Sequence, residues 1–278
     1  VLTISKCLGT AERLQIKYPL FHDDVNVGDT VLIDDGKIEL QVIEKSPAEE
    51  VTAKVIHGGI LSSKKGINLP YTKISLPSLT EKDKEDLEFA LRNNIEWIGL
   101  SFVRSANDII ELKNFIRELG KNSRVVAKIE KPEAVRDIDN IIKATDAIMV
   151  ARGDLGVEMA MEKVPVIQKM LVSKSIAASK PVIIATQMME SMIDRTKPNR
   201  SEITDVANAV LEGADAVMLS GETAAGNHPA LVVETMRKII RQVEQTEYRY
   251  NREQDLMPQP HSPSFLSDAI CYNACKIA

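Results

Sequence analysis

The fold is indicated by residues 124–154, which read RVVAKIEKPEAVRDIDNIIKATDAIMVARGD. Two apolar runs, 125–129 and 147–151, lie on either side of a segment that we interpret as a helix over 133–143. An apolar run that ends in charged residues is typical of a parallel strand whose carboxyl end opens onto a polar site. This strand–helix–strand unit therefore predicts an α/β fold with a parallel sheet.

The same alternation continues on both sides of this unit. We predict strands at 98–103, 125–130, 147–151, 181–186 and 216–220, and helices at 80–93, 105–120, 133–143, 163–178, 201–212 and 229–245. Polar residues lie at the carboxyl end of every strand: Ser101, Lys128 with Glu130, Asp154, Thr186 and Ser220. An open doubly wound sheet is physically possible. One circular site that draws on many strand ends instead favours a TIM (β/α)8 barrel that lacks its first three strands.

The domain organisation changes along the chain. Residues 1–70 are predicted to form a small all-β domain, in which the turn Asp34-Asp35-Gly36 joins two alternating runs, a strong hairpin signal. Residues 71–246 are predicted to be the later part of the barrel, and residues 247–278 the start of a third domain. Because the chain opens inside a strand and stops inside a helical pattern, we expect it to be a piece of a longer protein.

Composition excludes several classes of partner. The net charge of −5 over 278 residues, with no lysine- or arginine-rich stripe, argues against nucleic acid. No apolar run approaches the roughly 20 residues of a membrane helix. The three cysteines, Cys7, Cys271 and Cys275, lack metal-finger spacing, and we interpret them as reduced thiols of a cytoplasmic protein.

Two carboxylates and a lysine are the candidate reactive groups. Glu130 and Asp154 follow neighbouring strands, and they are predicted to bind a magnesium ion, which prefers few carboxylates and completes its shell with water and substrate oxygens. Glu130 could instead merely pair with a lysine at the surface, but a second carboxylate at the adjacent strand end favours the metal. Lys128 could form a Schiff base, which needs an uncharged amine. Its carboxylate neighbours favour the ammonium, which suits stabilising a phosphoryl group or an enolate.

The turn after the second apolar run is a candidate anion site. In Ala151-Arg152-Gly153-Asp154, the glycine lets the backbone approach a ligand, and the exposed amides could hold a carboxylate or a phosphate. The hydroxyls of Thr186 and Ser220 could bind a substrate carboxylate or relay a proton, although strand-end hydroxyls are often only helix caps.

Five ordered motifs resemble the pyruvate kinase family. They are residues 64–70 (KKGINLP), 125–135 (VVAKIEKPEAV), 149–158 (MVARGDLGVE), 185–192 (ATQMMESM) and 220–224 (SGETA). The resemblance implies a catalytic barrel with a small β-barrel domain inserted after its third strand as a lid, and a carboxyl-terminal α/β regulatory domain. It also implies transfer of the phosphoryl group of phosphoenolpyruvate to ADP, giving pyruvate and ATP, with Mg2+ or Mn2+ and K+ as cofactors, and a homotetramer. The potassium ligands would lie mostly in the part that precedes this chain.

The resemblance also implies residue roles. Lys128 resembles the lysine that neutralises the transferring phosphoryl group and the enolate, and Glu130 and Asp154 resemble the divalent-metal ligands. The positions that resemble the family's substrate site are Ser101, Ala151, Arg152, Gly153, Asp154 and Thr186. The positions that resemble the nucleotide side of the cleft are Lys65 and Asp35.

Two other functions are weighed against this one. A metal-dependent aldolase acting on pyruvate could use a similar barrel, but it would need neither an inserted β domain nor residues 64–66. A truncated, non-catalytic product that binds only metal or a partner subunit is the second alternative, because a barrel without three strands leaves open sheet edges. We expect the isolated fragment to be inactive.

Overall fold

The computed structural model describes residues 1–70, 72–75, 77, 79–246, 260 and 263–277. The strands of these residues are β1 (Leu2–Thr3), β2 (Leu14–Gln15), β3 (Thr30–Ile33), β4 (Ile38–Ser46), β5 (Glu50–His57), β6 (Ile67–Asn68), β7 (Trp97–Leu100), β8 (Arg124–Ile129), β9 (Ala147–Ala151), β10 (Val182–Ala185) and β11 (Ala216–Met218). The helices are α1 (Phe21–Asp24), α2 (Glu81–Arg92), α3 (Ala106–Glu118), α4 (Pro132–Arg136), α5 (Ile138–Ala144), α6 (Arg152–Glu158), α7 (Val164–Ala177), α8 (Arg200–Glu212), α9 (Gly221–Ala224), α10 (Pro229–Glu244) and α11 (Phe265–Ile277). Two 3-10 helices, Met161–Lys163 and Glu190–Ile193, complete the regular elements.

Strands β7 to β11 form a parallel sheet in which spatial order follows chain order. The order is β11-β10-β9-β8-β7, and every pairing is parallel. A doubly wound sheet reverses its strand order at a switch point, whereas a barrel adds each new strand on the same side. The monotonic order therefore confirms the predicted partial barrel. Within the described residues, β7 and β11 each pair on one side only.

The core of this sheet explains why the strands are apolar on both faces. In β8, residues 125–127 and 129 are all buried, because helices cover one face and the other faces the barrel interior. The register places Leu100 opposite Ala127 and Ala185 opposite Ala151. Ser101, Lys128 and Thr186 directly follow three of these residues, at or near the carboxyl ends of their strands.

A second, mixed sheet contains strands β1 to β6, in the order β2-β1-β5-β4-β3-β6, and has its own buried core. The predicted hairpin is present, since β3 pairs antiparallel with β4 through a turn in which Asp34 and Asp35 both have positive φ, 54° and 57°. Asp and Asn tolerate this left-handed conformation better than most residues, which suits them to the turn. Helix α1 was not predicted.

Two predicted elements differ from the structure, and one predicted helix start is confirmed. The helix expected over 133–143 is two helices, α4 and α5. They are separated by Asp137, whose carboxylate accepts hydrogen bonds from Ala106 N (2.8 Å) and Asn140 Nδ2 (2.7 Å). The strand expected to reach residue 103 ends at Leu100, because Phe102 turns to φ 53°. The capping box of Thr80 and Asp83 at the start of α2 is confirmed.

The predicted third domain, 247–278, lies largely outside the described residues, apart from α11, and the domain boundaries at 70 and 246 stay predictions. Cys7 and Cys271 are free thiols. In the part of the chain that the structure describes, none of the helices has the length and apolar character to span a bilayer.

Candidate active site

The carboxyl edge of the parallel sheet carries the predicted site residues. A cavity of about 690 Å3 at this edge is lined by Gly153, Asp154, Thr186 and Ser220, with Asp35 of the β domain on its wall. Ser101 lines a second cavity of about 650 Å3, and Lys128 and Glu130 line neither. The side chain of Lys128 instead joins the two regions, because it contacts Ser101 and acts electrostatically on Asp154.

Lys128 is held by two oxygen atoms. Its Nζ lies 2.7 Å from Ser101 Oγ and 2.6 Å from Glu130 Oε1. Lys128 and Glu130 are two residues apart, and side chains two apart on an extended chain point the same way. The prediction that the side chains of Lys128 and Glu130 point to the same side is therefore confirmed.

Glu130 is the most buried charged group of the site, with 1% of its side chain exposed. Its Oε2 accepts a 2.6 Å hydrogen bond from Phe102 N, which the positive φ of Phe102 orients toward the carboxylate. Burial raises the pKa of Glu130, against the opposing effects of Lys128 and the Phe102 amide. Oε1 is buried with only the Lys128 contact, and among the described residues it accepts no well-directed hydrogen bond.

Asp154 lies in the first turn of α6. Burial raises its pKa; Lys128 opposes that shift, and the negative charges of Asp35 and Glu158 add to it. Asp154 also raises the pKa of Glu130, so the two carboxylates are close enough to repel each other. A cation between them would relieve this repulsion.

The donor set fits magnesium or manganese. One buried and one partly buried carboxylate are a number that suits Mg2+, which completes its shell with substrate oxygens and water. In the described ranges, no group of three or more His, Cys, Asp or Glu residues is arranged to hold a metal ion.

The turn after β9 packs against the end of β10. Gly153 N donates to Thr186 Oγ1 (2.7 Å), and this hydroxyl donates to Ala185 O (2.7 Å). A Cβ on residue 153 would lie 3.2 Å from Thr186 Oγ1, so glycine permits the close approach. Thr186 has φ 68°, an unusual conformation for a β-branched residue and one that concentrates at functional sites.

The Arg152 side chain supports this strained turn. Its guanidinium pairs with Asp205 (2.7 Å) and donates to Thr186 O (3.0 Å) and Met188 Sδ (2.8 Å). Because the Arg152 guanidinium is engaged by Asp205 and by the residues after β10, Arg152 can take part in the predicted anion cradle only through its backbone.

The hydroxyl-bearing Ser220 is positioned by a glutamate that the sequence reasoning missed. Ser220 N donates to Glu222 Oε2 (2.8 Å), and Met189 N donates to Glu222 Oε1 (3.1 Å). Glu222 is buried and ties the loops after β10 and β11 together. Its place inside the 220–224 motif was the available signal. Asp205, also missed, had no such signal, because it sits in an ordinary helical pattern.

The two β-domain candidates are placed differently. Asp35 lines the 690 Å3 cavity and faces the barrel. Lys65 pairs instead with Asp34, Nζ to Oδ1 at 2.8 Å, which raises the pKa of Lys65 and lowers that of Asp34. Lys65 is not among the residues lining either cavity.

The parallel barrel strands and the acid–lysine cluster at their carboxyl ends define an α/β-barrel protein with a charged cluster at the carboxyl edge of its sheet. The family model described as pyruvate kinase, barrel domain, matches residues 3–233. The chain belongs to the pyruvate kinase family, as its motifs predicted.

Named relatives agree with this assignment. The chain is 46% identical to pyruvate kinase of Geobacillus stearothermophilus over 276 residues, covering 97% of this chain and 46% of that protein. It is 48% identical to pyruvate kinase of Mycobacterium intracellulare, covering 99% and 57%, and 45% identical to pyruvate kinase 2 of a Synechocystis strain, covering 92% and 43%. The chain thus spans about half the length of the curated relatives it matches.

Proposed function

We propose that the complete protein transfers the phosphoryl group of phosphoenolpyruvate to ADP, giving pyruvate and ATP, and that this chain carries the reacting centre. The observation that supports it is the placement of Lys128 between Ser101 and Glu130, within electrostatic reach of Asp154. Phosphoryl transfer depends on positioning and charge stabilisation, and these are the properties of this cluster.

The divalent site is proposed to consist of Glu130 and Asp154. A bound Mg2+ or Mn2+ would neutralise charge on the phosphoryl and substrate oxygens. Glu130 holds Lys128 in place, and the ammonium of Lys128 stabilises first the phosphoryl group and then the enolate oxygen left behind. Because Glu130 is anchored by Phe102 N, the lysine is positioned before substrate arrives.

The substrate carboxylate is proposed to bind at the turn of Ala151, Arg152 and Gly153, beside the Thr186 hydroxyl. Thr186 Oγ1 lies 2.7 Å from Gly153 N, so the turn and the hydroxyl share one small region. Ser220 lines the same cavity and is proposed to contribute to protonation of the enolate. Asp35, across the cleft, is proposed to face the nucleotide, and Lys65 to reach it only after leaving Asp34.

The remaining assignments stay predictions: a potassium requirement, a homotetramer, a cytoplasmic location, no nucleic-acid partner, and inactivity of the isolated fragment. The test of the function is a coupled assay of the complete protein for pyruvate formation from phosphoenolpyruvate and ADP, run beside a 2-keto-acid cleavage assay of the same protein. We expect activity only in the first. Activity only in the second would favour the aldolase, and activity in neither would favour a non-catalytic protein.

A further inference from the structure

A buried ion pair next to the site is not explained by the chemistry above. Lys131 Nζ lies 2.8 Å from Glu158 Oε2, with side chains 10% and 1% exposed. The other oxygen, Glu158 Oε1, accepts a 3.0 Å hydrogen bond from Asn68 Nδ2. Asn68 belongs to β6 of the β domain, whereas Lys131 and Glu158 belong to the barrel. Together the three residues, which we name the latch, line the 650 Å3 cavity between the two sheets.

The latch connects to both proposed metal ligands. Lys131 directly follows Glu130, and Glu158 lies four residues after Asp154, one turn along α6. Residues four apart lie on the same face of a helix. The ion pair therefore fixes the loop after β8 relative to α6, which are the two elements that carry Glu130 and Asp154.

We infer that the latch positions the β domain over the cleft, by holding β6 against the two barrel elements that carry Glu130 and Asp154. This inference rests on the proposed function. Burying a charged pair is costly unless each charge is paired and hydrogen-bonded, and Asn68 supplies a hydrogen bond from the other domain. Asn68 is thus a positioning residue: it acts on the nucleotide side of the reaction through Glu158 and has no contact with the reacting groups.

The first experiment measures kcat and KM for ADP in the complete protein. The variants are Asn68→Ala, Asn68→Asp and the exchange variant Asn68→Asp/Glu158→Gln, with Asn26→Ala as the matched control, because Asn26 is exposed in the same domain. Losing one hydrogen bond to a charged group changes an equilibrium by about tenfold or more. We expect Asn68→Ala to raise KM for ADP about tenfold while kcat stays within about threefold, since Lys128 and Glu130 are untouched.

The charge variants sharpen this test. Asn68→Asp places a second carboxylate against Glu158 and should raise KM for ADP more than Asn68→Ala does. The exchange variant restores an amide–carboxylate pair with the partners reversed but leaves Lys131 facing an amide, so its KM should lie below that of Asn68→Asp without reaching the wild-type value. A purely structural role would give variants that lose stability without this order of KM values.

The second experiment needs no turnover. Spin labels on Ile60→Cys in the β domain and Val166→Cys on the barrel, both highly exposed, report the distance between the domains in a background without other cysteines. We expect Asn68→Ala to broaden the distance distribution and Asn26→Ala to leave it unchanged. If Asn68→Ala broadens the distance distribution but the complete protein transfers no phosphoryl group, the proposed function is refuted and the positioning role of the latch is supported. An unchanged distribution, an unchanged KM in an active protein, or an exchange variant no better than Asn68→Asp would overturn the latch.

Discussion

Substituting Lys128 by methionine tests the proposed centre most directly, because methionine is unbranched like lysine and nearly as long but lacks the ammonium group. In the structure this charge lies 2.6 Å from Glu130 Oε1 and 2.7 Å from Ser101 Oγ. The variant therefore removes the proposed stabiliser of the phosphoryl group. It also removes the cation that compensates a nearly fully buried carboxylate.

The expected loss follows from these two effects. A preorganised group that stabilises transition-state charge contributes about 2.7–4 kcal/mol, or about 10²–10³ in turnover. Leaving a buried ion pair with one partner costs about 3–5 kcal/mol; we expect the lower end, because a quarter of the Lys128 side chain is exposed. Without Lys128 the pKa of Glu130 rises further, so part of that cost is avoided by protonation, and divalent-metal affinity falls.

The assay is steady-state phosphoryl transfer by the complete protein at saturating metal, with Mn2+ binding measured in parallel by electron paramagnetic resonance. We expect Lys128→Met to lower kcat at least about 10²-fold while KM for phosphoenolpyruvate changes far less, because the proposed carboxylate contacts at Gly153 and Thr186 remain. Lys113→Met is the matched control: it too breaks a lysine–carboxylate pair, the partly buried pair with Asp146, but at the amino edge of the sheet. Turnover of Lys128→Met within about threefold of wild type would falsify the role given to Lys128.

Three further predictions concern the metal, the sheet and the glycine turn. Because burial raises the pKa of Glu130 and Asp154, the metal-free fold loses stability as pH rises through those raised values, and bound metal offsets the loss. The rise in melting temperature caused by Mg2+ should thus be larger at about pH 8 than at about pH 5; an equal rise contradicts the assigned ligands. Burial acts to raise the pKa of Asp146, but Val125 N and Lys113 hold that pKa below its ordinary value. The stability that ionised Asp146 contributes to the fold is therefore lost only as pH falls through that low value. Asp146→Asn should lower the free energy of unfolding, measured in urea, by about 1–3 kcal/mol, against about 0.5 kcal/mol or less for Asp139→Asn at an exposed position. Equal losses in the two variants would refute the stabilising role given to Asp146. Gly153→Ala should raise KM for phosphoenolpyruvate with little change in melting temperature, because its Cβ meets Thr186 Oγ1 at 3.2 Å; an unchanged KM argues against the turn as the carboxylate site.

The parallel sheet was predictable because its signal is local and repeated. Each strand is a short apolar run that ends in a polar residue, and this pattern specifies both the element and the edge where the site lies. The break at Asp137 was not predictable in the same way. Its carboxylate is satisfied by Ala106 N on another helix, a tertiary contact that leaves no trace in the periodicity of residues 133–143.

The same distinction applies to the site. The side-by-side placement of Lys128 and Glu130 follows from strand geometry alone, so two residues of sequence were enough to predict it. The partner of Lys65 is different, because Asp34 lies in a hairpin turn 31 residues earlier, and only the packing of β3 against β6 brings them together. The latch of Asn68, Lys131 and Glu158 has the same origin: its members lie in three of the quoted motifs, yet none of these motifs indicates that the three residues meet.

Backbone strain was the feature least accessible to sequence, and two of the strained residues lie where the chemistry is proposed. Phe102 lies just after β7 and Thr186 just after β10. Phenylalanine and threonine both favour extended strands, yet both residues have positive φ here. Such residues cost about 1–3 kcal/mol each and persist only when surrounding contacts hold them. Here the holding contacts are groups of the site itself: Glu130 accepts from Phe102 N, and Arg152 donates to Thr186 O. The strain and the site therefore depend on each other, since releasing either turn would withdraw an amide or a hydroxyl from the proposed anion and metal positions.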